Sequence, residues 1–315
     1  MNLNSYSRLV VLLKGIAMGV ADIIPGVSGG TIAIITGVYE EFLSSLNKLD
    51  FKIFNLLIKF RFKKVWQDYN LSFLITLALG IILSIFIFSN YIPYLIQNYS
   101  ITLWSFFLGL IISSIYYLQK EIVFIEKKLH YFTFSKNLIL LFFGISLAVF
   151  VLLIKPTNIN PTPTYLFFSG MISITAMLLP GISGAYILIL LGSYEIMLKT
   201  INEVIKFNTE YFLNFFSFVC GAIISVKLFS KFLTWAYKKN KNQTLSCLIG
   251  FMIGSLPSIW PWKNDEISDL FYTNLYIPSP YIENDYFFIG LCFILIGFLM
   301  VIFLQKISEN NEKKK

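Results

Sequence analysis

Six long apolar runs constrain this chain more than any other feature of its sequence. They cover positions 71–89, 102–119, 138–154, 212–232, 244–260 and 286–304. Inside a bilayer each backbone polar group needs a partner, and an unalternated apolar run of about this length meets that need as a transmembrane α-helix. The residues are 57% hydrophobic and only 13% charged, whereas a soluble domain carries roughly 25% charged residues. These features predict an all-α polytopic membrane protein.

The remaining composition excludes several function classes. The net charge of +8 comes from lysines and arginines gathered in loops, as in the cytoplasmic loops of membrane proteins, so no nucleic-acid partner is expected. His130 is the one histidine, and Cys220, Cys247 and Cys292 lie in apolar runs at spacings that match no metal motif. The cysteines are interpreted as buried free thiols. We therefore expect no metal, no cofactor and no histidine-based catalysis.

The chain repeats itself. Residues 21–30 (ADIIPGVSGG) recur as residues 176–185 (AMLLPGISGA), 155 positions later. The match continues through Gly37/Gly192, Tyr39/Tyr194, Glu40/Glu195, Leu43/Leu198 and Asn47/Asn202, with weaker echoes at Gly80/Gly221, Gly109/Gly250 and Gly144/Gly290. Two related halves, 1–156 and 157–315, are predicted to form one membrane domain. Each half holds a Pro-Gly-broken helical hairpin followed by three transmembrane helices.

Charge in the loops orients the halves. The loop after the first hairpin is rich in lysine, segment 90–101 has no charge, and the next lysines follow position 119; the second half alternates in the same way and ends in three lysines. By the positive-inside rule, both termini are then cytoplasmic. Three crossings per half is an odd number, so the second half is predicted to be inverted relative to the first.

A Pro-Gly-x-Ser-Gly break lies within the apolar hairpin of each half. Pro25 ends the incoming helix because it has no N–H, Gly26, Gly29 and Gly30 permit close approach of a ligand, and Ser28 is expected to cap a helix that runs to about Leu46. The same roles are assigned to Pro180, Gly181, Ser183 and Gly184. Exposed N–H groups at the start of a helix in low dielectric attract anions, and inverted broken helices bring two such ends together. Each hairpin is therefore predicted to be re-entrant, so that it enters and leaves the membrane on the same side. The alternative is that each break is only a tight turn in a fully spanning hairpin.

Charged residues near the breaks have two interpretations each. Asp22 precedes the first break inside apolar sequence, where a carboxylate is a functional candidate or a partner for local backbone N–H groups. Glu40 and Glu195 are candidates for ion coupling together with Asp22, or interfacial anchors. Lys14 and Lys227 contact phosphate, or extend to the cytoplasmic interface.

The segment from Gly19 to Thr31, with Tyr39 and Glu40 behind it, resembles the polyprenyl-phosphate (undecaprenyl-phosphate) transporter family, PopT-like. The resemblance covers nearly the whole chain, although Gly30 and Thr31 become Ala185 and Tyr186 in the second copy. It implies a bacterial inner-membrane translocase that returns undecaprenyl phosphate from the outer to the cytoplasmic leaflet for cell-envelope synthesis. The partners it implies are this lipid and the bilayer. The residues expected to hold the phosphate are Asp22, Pro25, Gly26, Ser28, Gly29, Gly30, Thr31, Pro180, Gly181, Ser183 and Gly184.

A partial likeness to undecaprenyl-pyrophosphate phosphatases points to a different activity. Those enzymes carry an arginine directly after the motif serine, where this chain has Gly29 and Gly184. Without an arginine to stabilise transferring phosphoryl charge, an enzyme is not expected. The alternatives that stay open are a transporter of a small soluble anion and a phosphatase acting on the same lipid.

Overall fold

The computed structural model describes residues 8–24, 27–50, 52–89, 91–126, 131–157, 159–262 and 284–313. Within these ranges every regular element is helical, which confirms the all-α prediction. The helices are α1 Arg8–Ile23, α2 Gly29–Ile35, α3 Tyr39–Lys48, α4 Lys52–Ile58, α5 Phe62–Asp68, α6 Leu71–Phe88, α7 Tyr91–Asn98, α8 Ser100–Glu126, α9 Tyr131–Leu153, α10 Pro163–Leu178, α11 Gly184–Leu190, α12 Tyr194–Ile205, α13 Phe212–Lys239, α14 Lys241–Ser255 and α15 Asn284–Lys313, with short 3-10 turns at Thr209–Tyr211 and Leu256–Ile259.

Five helices of the described chain are long and apolar enough to cross a membrane. The segments are Leu71–Phe88, Ser100–Lys120, Lys136–Leu153, Thr209–Lys239 and Tyr286–Lys306. They coincide with five of the six predicted runs. Large apolar side chains such as Phe86, Ile223 and Leu295 are exposed on their outer faces, as lipid-facing positions require. The chain is a multi-pass membrane protein.

The sixth run, 244–260, is not one long helix. It divides into α14 of 15 residues and the 3-10 turn Leu256–Ile259, which has Pro257 near its start. At 1.5 Å per residue α14 is about 22 Å long, less than the hydrocarbon thickness of about 30 Å. Its sequence is apolar because it is buried on most sides by protein.

In the centre of the protein, the second apolar run of each half packs against the third apolar run of the other half. Helix α14 packs against α9, α15 packs against α8, and α8 and α14 contact each other. More than half of the α8 span is buried, against about a fifth of α6, α9 and α15. The core therefore lies around α8 and α14.

Glycines allow the closest helix crossings. A Cβ at Gly15 or Gly80 would overlap backbone of the facing helix in the α1–α6 pair, and Gly170 and Gly221 have the same role in the α10–α13 pair. The crossing of α9 and α14 likewise uses Gly144 and Gly250.

One predicted glycine echo is wrong. The glycine that contacts α8 from α15 is Gly297, next to the backbone of Phe106 and Leu110, whereas Gly290 lies against Trp262 and Ser105. Gly297, and not Gly290, is therefore the counterpart of Gly144 in packing.

The helix that follows each break is shorter than predicted. Helices α2 and α11 have seven residues each, about 10 Å. Each ends where a glycine adopts a left-handed conformation, Gly37 at φ 72° and Gly192 at φ 61°. Paired hydrogen bonds close both ends, from Gly37 N to Ile34 O and Val38 N to Ala33 O, which is the Schellman arrangement. The helix capped by Ser28 thus ends at Ile35 and not near Leu46.

Two further predictions differ from the structure. Cys220 and Cys292 are free but exposed on their helices rather than buried, and Cys247 is half-buried. The loop helices α4, α5 and α7 have no counterpart in the predicted elements, since their apolar stretches are too short for the transmembrane criterion. His130 lies outside the described residues.

Candidate functional site

The first break is stabilised by side chains on both sides of it. Ser28 has extended backbone geometry and caps α2, since its hydroxyl accepts a hydrogen bond from Gly30 N at 3.1 Å. Gly29 N donates to Asp22 Oδ1 at 2.7 Å. Pro25 and Gly26, the Pro-Gly pair of this break, lie outside the described residues. The first N–H groups of α2 are therefore satisfied by the chain itself.

Asp22 lies at this break with one oxygen unsatisfied. Its Oδ1 accepts from Gly29 N, whereas its Oδ2 is buried and has no hydrogen-bond partner. The interpretation of Asp22 as a partner for local backbone is thus confirmed, and the second oxygen is left over. Met177 occupies the equivalent position in the second half, so a carboxylate is present at only one of the two breaks.

The second break has a different chemistry. Gly181 has φ +89°, a conformation that favours glycine, and directly follows Pro180. Ser183 precedes α11 but makes no side-chain capping bond, so the prediction that it repeats the role of Ser28 is wrong. Instead, Ser173 on α10 donates its hydroxyl to Gly184 O at 2.9 Å.

The two breaks contact each other directly. The Ser28 hydroxyl lies 3.2 Å from Leu179 O, and Gly181 N donates to Thr31 Oγ1 at 3.0 Å. Tyr39, at the start of α3, donates its hydroxyl to Leu178 O at 2.7 Å. Residues about 150 positions apart are thereby joined by side-chain hydrogen bonds. We call this contact the junction.

The junction is densely packed as well as bonded. A Cβ at Gly30 would lie 3.1 Å from Met177 O, and one at Gly29 would lie 2.6 Å from Asp22 Oδ2. Ser28 and Thr31 are almost completely buried. The small residues of the first break thus allow the second break to approach its backbone.

Three helices of similar length end at the junction. Helix α1 and helix α10 each run 16 residues before their break, about 24 Å. Helix α14 runs 15 residues from Lys241, and its Ser255 lies beside Gly181. Helices α1 and α10 thus reach the junction after about 24 Å, and α14 reaches it after about 22 Å.

The remaining charged candidates lie away from the junction. Lys14 Nζ donates to Thr36 O at 2.6 Å, and Lys227 Nζ donates to Asn47 O. Each lysine thus satisfies a carbonyl at the end of a helix, where a cation is favoured by the helix dipole. Glu40 is largely exposed and pairs with Lys241 at 3.2 Å, and Glu195 is exposed.

A cavity of about 720 Å³ lies at the end of the second hairpin. Its walls come from the loop before α10 and from α11 and α12, including Thr157, Asn160, Gly192, Tyr194 and Glu195. Sequence reasoning did not identify this cavity, nor the contact of Tyr39 with Leu178. The repeated Tyr-Glu pairs mark the positions of the cavity and of the Tyr39 contact in the sequence. The different surroundings of the two pairs, however, depend on the tertiary structure.

Comparison with known proteins gives consistent similarities. Residues 18–270 match the family model described as undecaprenyl phosphate translocase-like. A polyprenyl-phosphate transporter of Vibrio cholerae serotype O1 is 38% identical over 259 residues, which cover 82% of this chain and 80% of the relative. A polyprenyl-phosphate transporter of Staphylococcus aureus is 32% identical over 267 residues, covering 81% of this chain and 87% of that protein. No solved structure matches the chain.

Proposed function

Because the chain belongs to the undecaprenyl phosphate translocase-like family, we propose that it is a membrane transporter of polyprenyl phosphate. The contact between the two breaks carries the proposal for where the phosphate binds. Broken helices that meet within a membrane protein supply backbone N–H groups inside low dielectric, which is how several transporters bind anionic substrate groups. The polyprenyl chain stays in the surrounding lipid.

When phosphate binds at the junction, backbone N–H groups exchange a side-chain hydrogen-bond acceptor for a phosphate oxygen. The N–H groups of Gly29, Gly30 and Gly181 already donate to Asp22, Ser28 and Thr31. A phosphate presents strong acceptor oxygens and replaces one or more of these side-chain acceptors. Since α2 and α11 have only seven residues each, this proposal rests on the donors at the junction and not on a long helix dipole.

Asp22 links phosphate binding to a proton. A phosphate monoester carries a charge of about −1.5 to −2 at neutral pH, and a carboxylate at the same N–H groups repels it. The lipid therefore binds more tightly when Asp22 is protonated. Among the three acidic residues considered for coupling, Asp22 lies at the junction, whereas Glu40 and Glu195 are exposed.

Coupling also has an energetic reason. Moving one negative charge inward against an inside-negative potential of 100 mV costs about 2.3 kcal/mol. A proton that travels with the phosphate removes part of this cost. We propose transport from the outer to the cytoplasmic leaflet of the bacterial inner membrane, with proton or cation co-transport.

The proposed orientation has both termini in the cytoplasm and the second half inverted. Matching glycine crossings in the α1–α6 and α10–α13 pairs support the two-half organisation at 1–156 and 157–315. In a variant lacking native cysteines, Gln97→Cys is expected to react with an impermeant thiol reagent from outside. Phe62→Cys and Asn240→Cys are expected to react only after permeabilisation. External labelling of Asn240→Cys would overturn the inverted arrangement.

Binding to purified protein in nanodiscs tests the cargo. We expect saturable binding of undecaprenyl phosphate, weaker binding of its pyrophosphate, and no measurable binding of inorganic phosphate. Preference for inorganic phosphate would instead indicate a soluble-anion transporter. Release of inorganic phosphate from the pyrophosphate, above a heat-inactivated control, would contradict the assignment as a transporter without hydrolytic activity.

Asp22→Asn tests the coupling. Asparagine keeps an oxygen for Gly29 N but cannot titrate, so lipid binding is expected to lose its pH dependence above the second phosphate pKa of about 6. Asp50→Asn, in the loop after α3 and away from the junction, is the matched control and is expected to bind as the unaltered protein does. A wild-type pH dependence in Asp22→Asn would exclude Asp22 as the proton carrier.

A further inference from the structure

The two halves differ in the connection that joins each hairpin to the next helix. Residues 49–70 separate α3 from α6, whereas residues 206–211 separate α12 from α13. The longer connection forms α4 and α5, which pack on each other and, through α5, on α6. Each of these two helices has seven residues, about 10 Å, so neither can cross a membrane. The second half has no connection of similar length at this point.

The base of the longer connection is fixed to the rest of the protein. The Tyr69 hydroxyl donates to Asp50 Oδ1 at 2.8 Å, which brings the two ends of the connection together. The Asn70 side-chain amide donates to Glu41 Oε1 and to Ser45 Oγ on α3, each at 3.0 Å. The segment between these ends is therefore held at a defined place beside α3.

The tip of this connection, residues 58–66, presents apolar and basic side chains together. Its large apolar residues are exposed, Phe60 to 79%; they are Ile58, Phe60, Phe62 and Trp66. Its basic residues are exposed as well, and within the part of the chain that the structure describes none of them contacts a carboxylate at ion-pair distance; they are Lys59, Arg61, Lys63 and Lys64. A patch that combines exposed apolar and cationic side chains is typical of a surface that binds a membrane.

Phe60 adopts a backbone conformation that a bulky residue rarely takes. Its φ is 51°, and it follows the end of α4, where Arg61 N donates to Leu56 O at 2.9 Å. Glycine usually occupies this position of a helix end, since the left-handed conformation is unfavourable for phenylalanine. The ring lies edge-on to Phe62, with 5.9 Å between the centroids, and both rings remain exposed. Packing within the protein does not repay this conformation, which points to a contact of the rings outside the protein.

The shorter connection of the second half repeats the aromatic residue without the free cations. Residues 58–60 (IKF) recur as residues 205–207. Phe207 also has a left-handed conformation, with φ 61°, and is 83% exposed. The neighbouring Lys206, however, pairs with Glu203 at 2.9 Å. Both connections thus expose a phenylalanine, and in the first half alone is that ring surrounded by basic side chains that lack a carboxylate partner.

We propose that the tip, residues 58–66, binds the headgroups of anionic phospholipids at the membrane surface. Its aromatic rings enter the boundary between headgroups and acyl chains, as the apolar face of an interfacial segment does. Its four cations attract the negative charge of the lipid. The lysine-rich composition of the connection predicts that this surface is the cytoplasmic one. The proposal goes beyond transport and does not depend on the cargo, because the ligand is a structural lipid of the membrane.

Lipid-selective quenching at matched positions tests the proposal. In a full-length variant lacking native cysteines, Phe60→Cys or Phe207→Cys carries a bimane fluorophore, and the protein is placed in phosphatidylcholine nanodiscs. A small, equal fraction of phosphatidylglycerol or phosphatidylcholine with a nitroxide on its acyl chain is the quencher. The ratio of the two quenching efficiencies measures the local enrichment of the anionic lipid. We expect a ratio of about five or more at position 60, the factor that one basic residue near an anionic surface supplies, and a ratio near one at position 207.

Neutral variants separate the cations from the rings. Lys63→Gln combined with Lys64→Gln is expected to lower the ratio at position 60 by at least about half. The control is Lys238→Gln combined with Lys239→Gln, which removes an adjacent pair of exposed lysines at the end of α13 and is expected to leave the ratio unchanged. High salt is expected to lower the ratio as well, because it screens exposed charges. Unfolding midpoints check that each variant remains folded.

Three outcomes would overturn the proposal. The first is an equal ratio at positions 60 and 207, and the second is a ratio that the Lys63→Gln, Lys64→Gln variant leaves unchanged. The third comes from competition, in which unlabelled undecaprenyl phosphate is expected to displace the nitroxide-bearing phosphatidylglycerol no better than unlabelled phosphatidylglycerol does. Much stronger displacement would make the tip a site for the transported lipid. A protein that fails to flip polyprenyl phosphate would contradict the proposed function and leave these quenching ratios unaffected.

Discussion

The hairpin α1–α3 and the hairpin α10–α12 follow the same backbone path but are stabilised by different side-chain contacts. Both turn at a Schellman glycine, Gly37 or Gly192. In the first hairpin the carbonyl of Thr36 is satisfied by Lys14, whereas in the second the equivalent carbonyl of Leu191 is satisfied by the Tyr165 hydroxyl at 3.0 Å. Repetition thus fixes the path of the chain, whereas the donor to the carbonyl at the turn is charged in one hairpin and neutral in the other.

The difference extends to the breaks themselves. Asp22 adds a carboxylate to the first break, and Met177 leaves the second without charge. Ser28 caps its helix, and Ser183 does not. A site between two such segments is asymmetric even though the segments are repeats. Proton coupling, as proposed, would therefore need only one of the two halves.

The largest expected effect is one that both halves share. Gly80→Val and Gly221→Val each force a branched side chain into the backbone of the facing helix, and overpacking of this kind costs about 2–3 kcal/mol. We expect both variants to lose folded, monodisperse protein to a similar extent in thermal unfolding. Leu79→Val, on an exposed face of α6, is the control. Tolerance of one glycine variant but not the other would show that the two crossings are not equivalent.

The next effect distinguishes the hairpins by charge. Lys14→Met removes the lysine donor from the part-buried contact with Thr36 O, and loss of a hydrogen bond to a charged group costs about 1.5–3 kcal/mol. Ser169, the counterpart of Lys14, shares a hydroxyl–hydroxyl bond of 2.9 Å with Ser193, and Ser169→Ala is expected to cost no more than about 1 kcal/mol. Unfolding midpoints measured in the same detergent compare them. A larger loss for Ser169→Ala would mean that the neutral Ser169–Ser193 contact contributes more stability than the Lys14 contact does.

A smaller effect concerns the two motif serines. Ser28→Ala removes an N-cap and a contact with Leu179 O, and loss of such a cap costs about 1 kcal/mol. Ser183→Ala removes no capping bond and is expected to change stability less than Ser28→Ala does. If the junction binds phosphate, Ser28→Ala also weakens lipid binding more than Ser183→Ala does. Equal losses in both measurements would restore the symmetric interpretation of the motif.

The smallest effect lies in the loop that follows the first hairpin. The Tyr69 hydroxyl donates to Asp50 Oδ1 at 2.8 Å and holds the pKa of Asp50 below its usual value of 3.8. A lowered folded-state pKa stabilises the protein above the unfolded-state pKa, and this stabilisation is lost as the pH falls through the folded-state pKa. Tyr69→Phe is expected to lower the unfolding midpoint slightly at pH 7, and this effect is expected to shrink as the pH falls through the folded-state pKa of Asp50. An effect that grows on acidification would contradict this sign.

Much of the fold was accessible from the sequence because membrane insertion imposes simple rules. Apolar length alone located five spanning helices, such as α6 and α15, since lipid leaves few alternatives to a helix. The rule failed for the run 244–260, because α14 is apolar from burial in protein and not from contact with lipid. It also failed for the helix after Ser28, where Gly37 was recognised as a repeated residue but not as a helix end.

At the candidate site, the sequence by itself determined the two breaks, their shared residue types and the single carboxylate at Asp22. Each of these depends on neighbouring positions, where proline, glycine and serine act on their own backbone. Only the tertiary structure decided that Asp22 accepts a hydrogen bond from Gly29 N and that Thr31 accepts one from Gly181 N. It also decided that Tyr39 is buried, whereas Tyr194 lines a cavity. Partners about 150 positions apart are selected by how helices from the two halves pack. No local pattern records that choice, because both tyrosines are followed by the same glutamate.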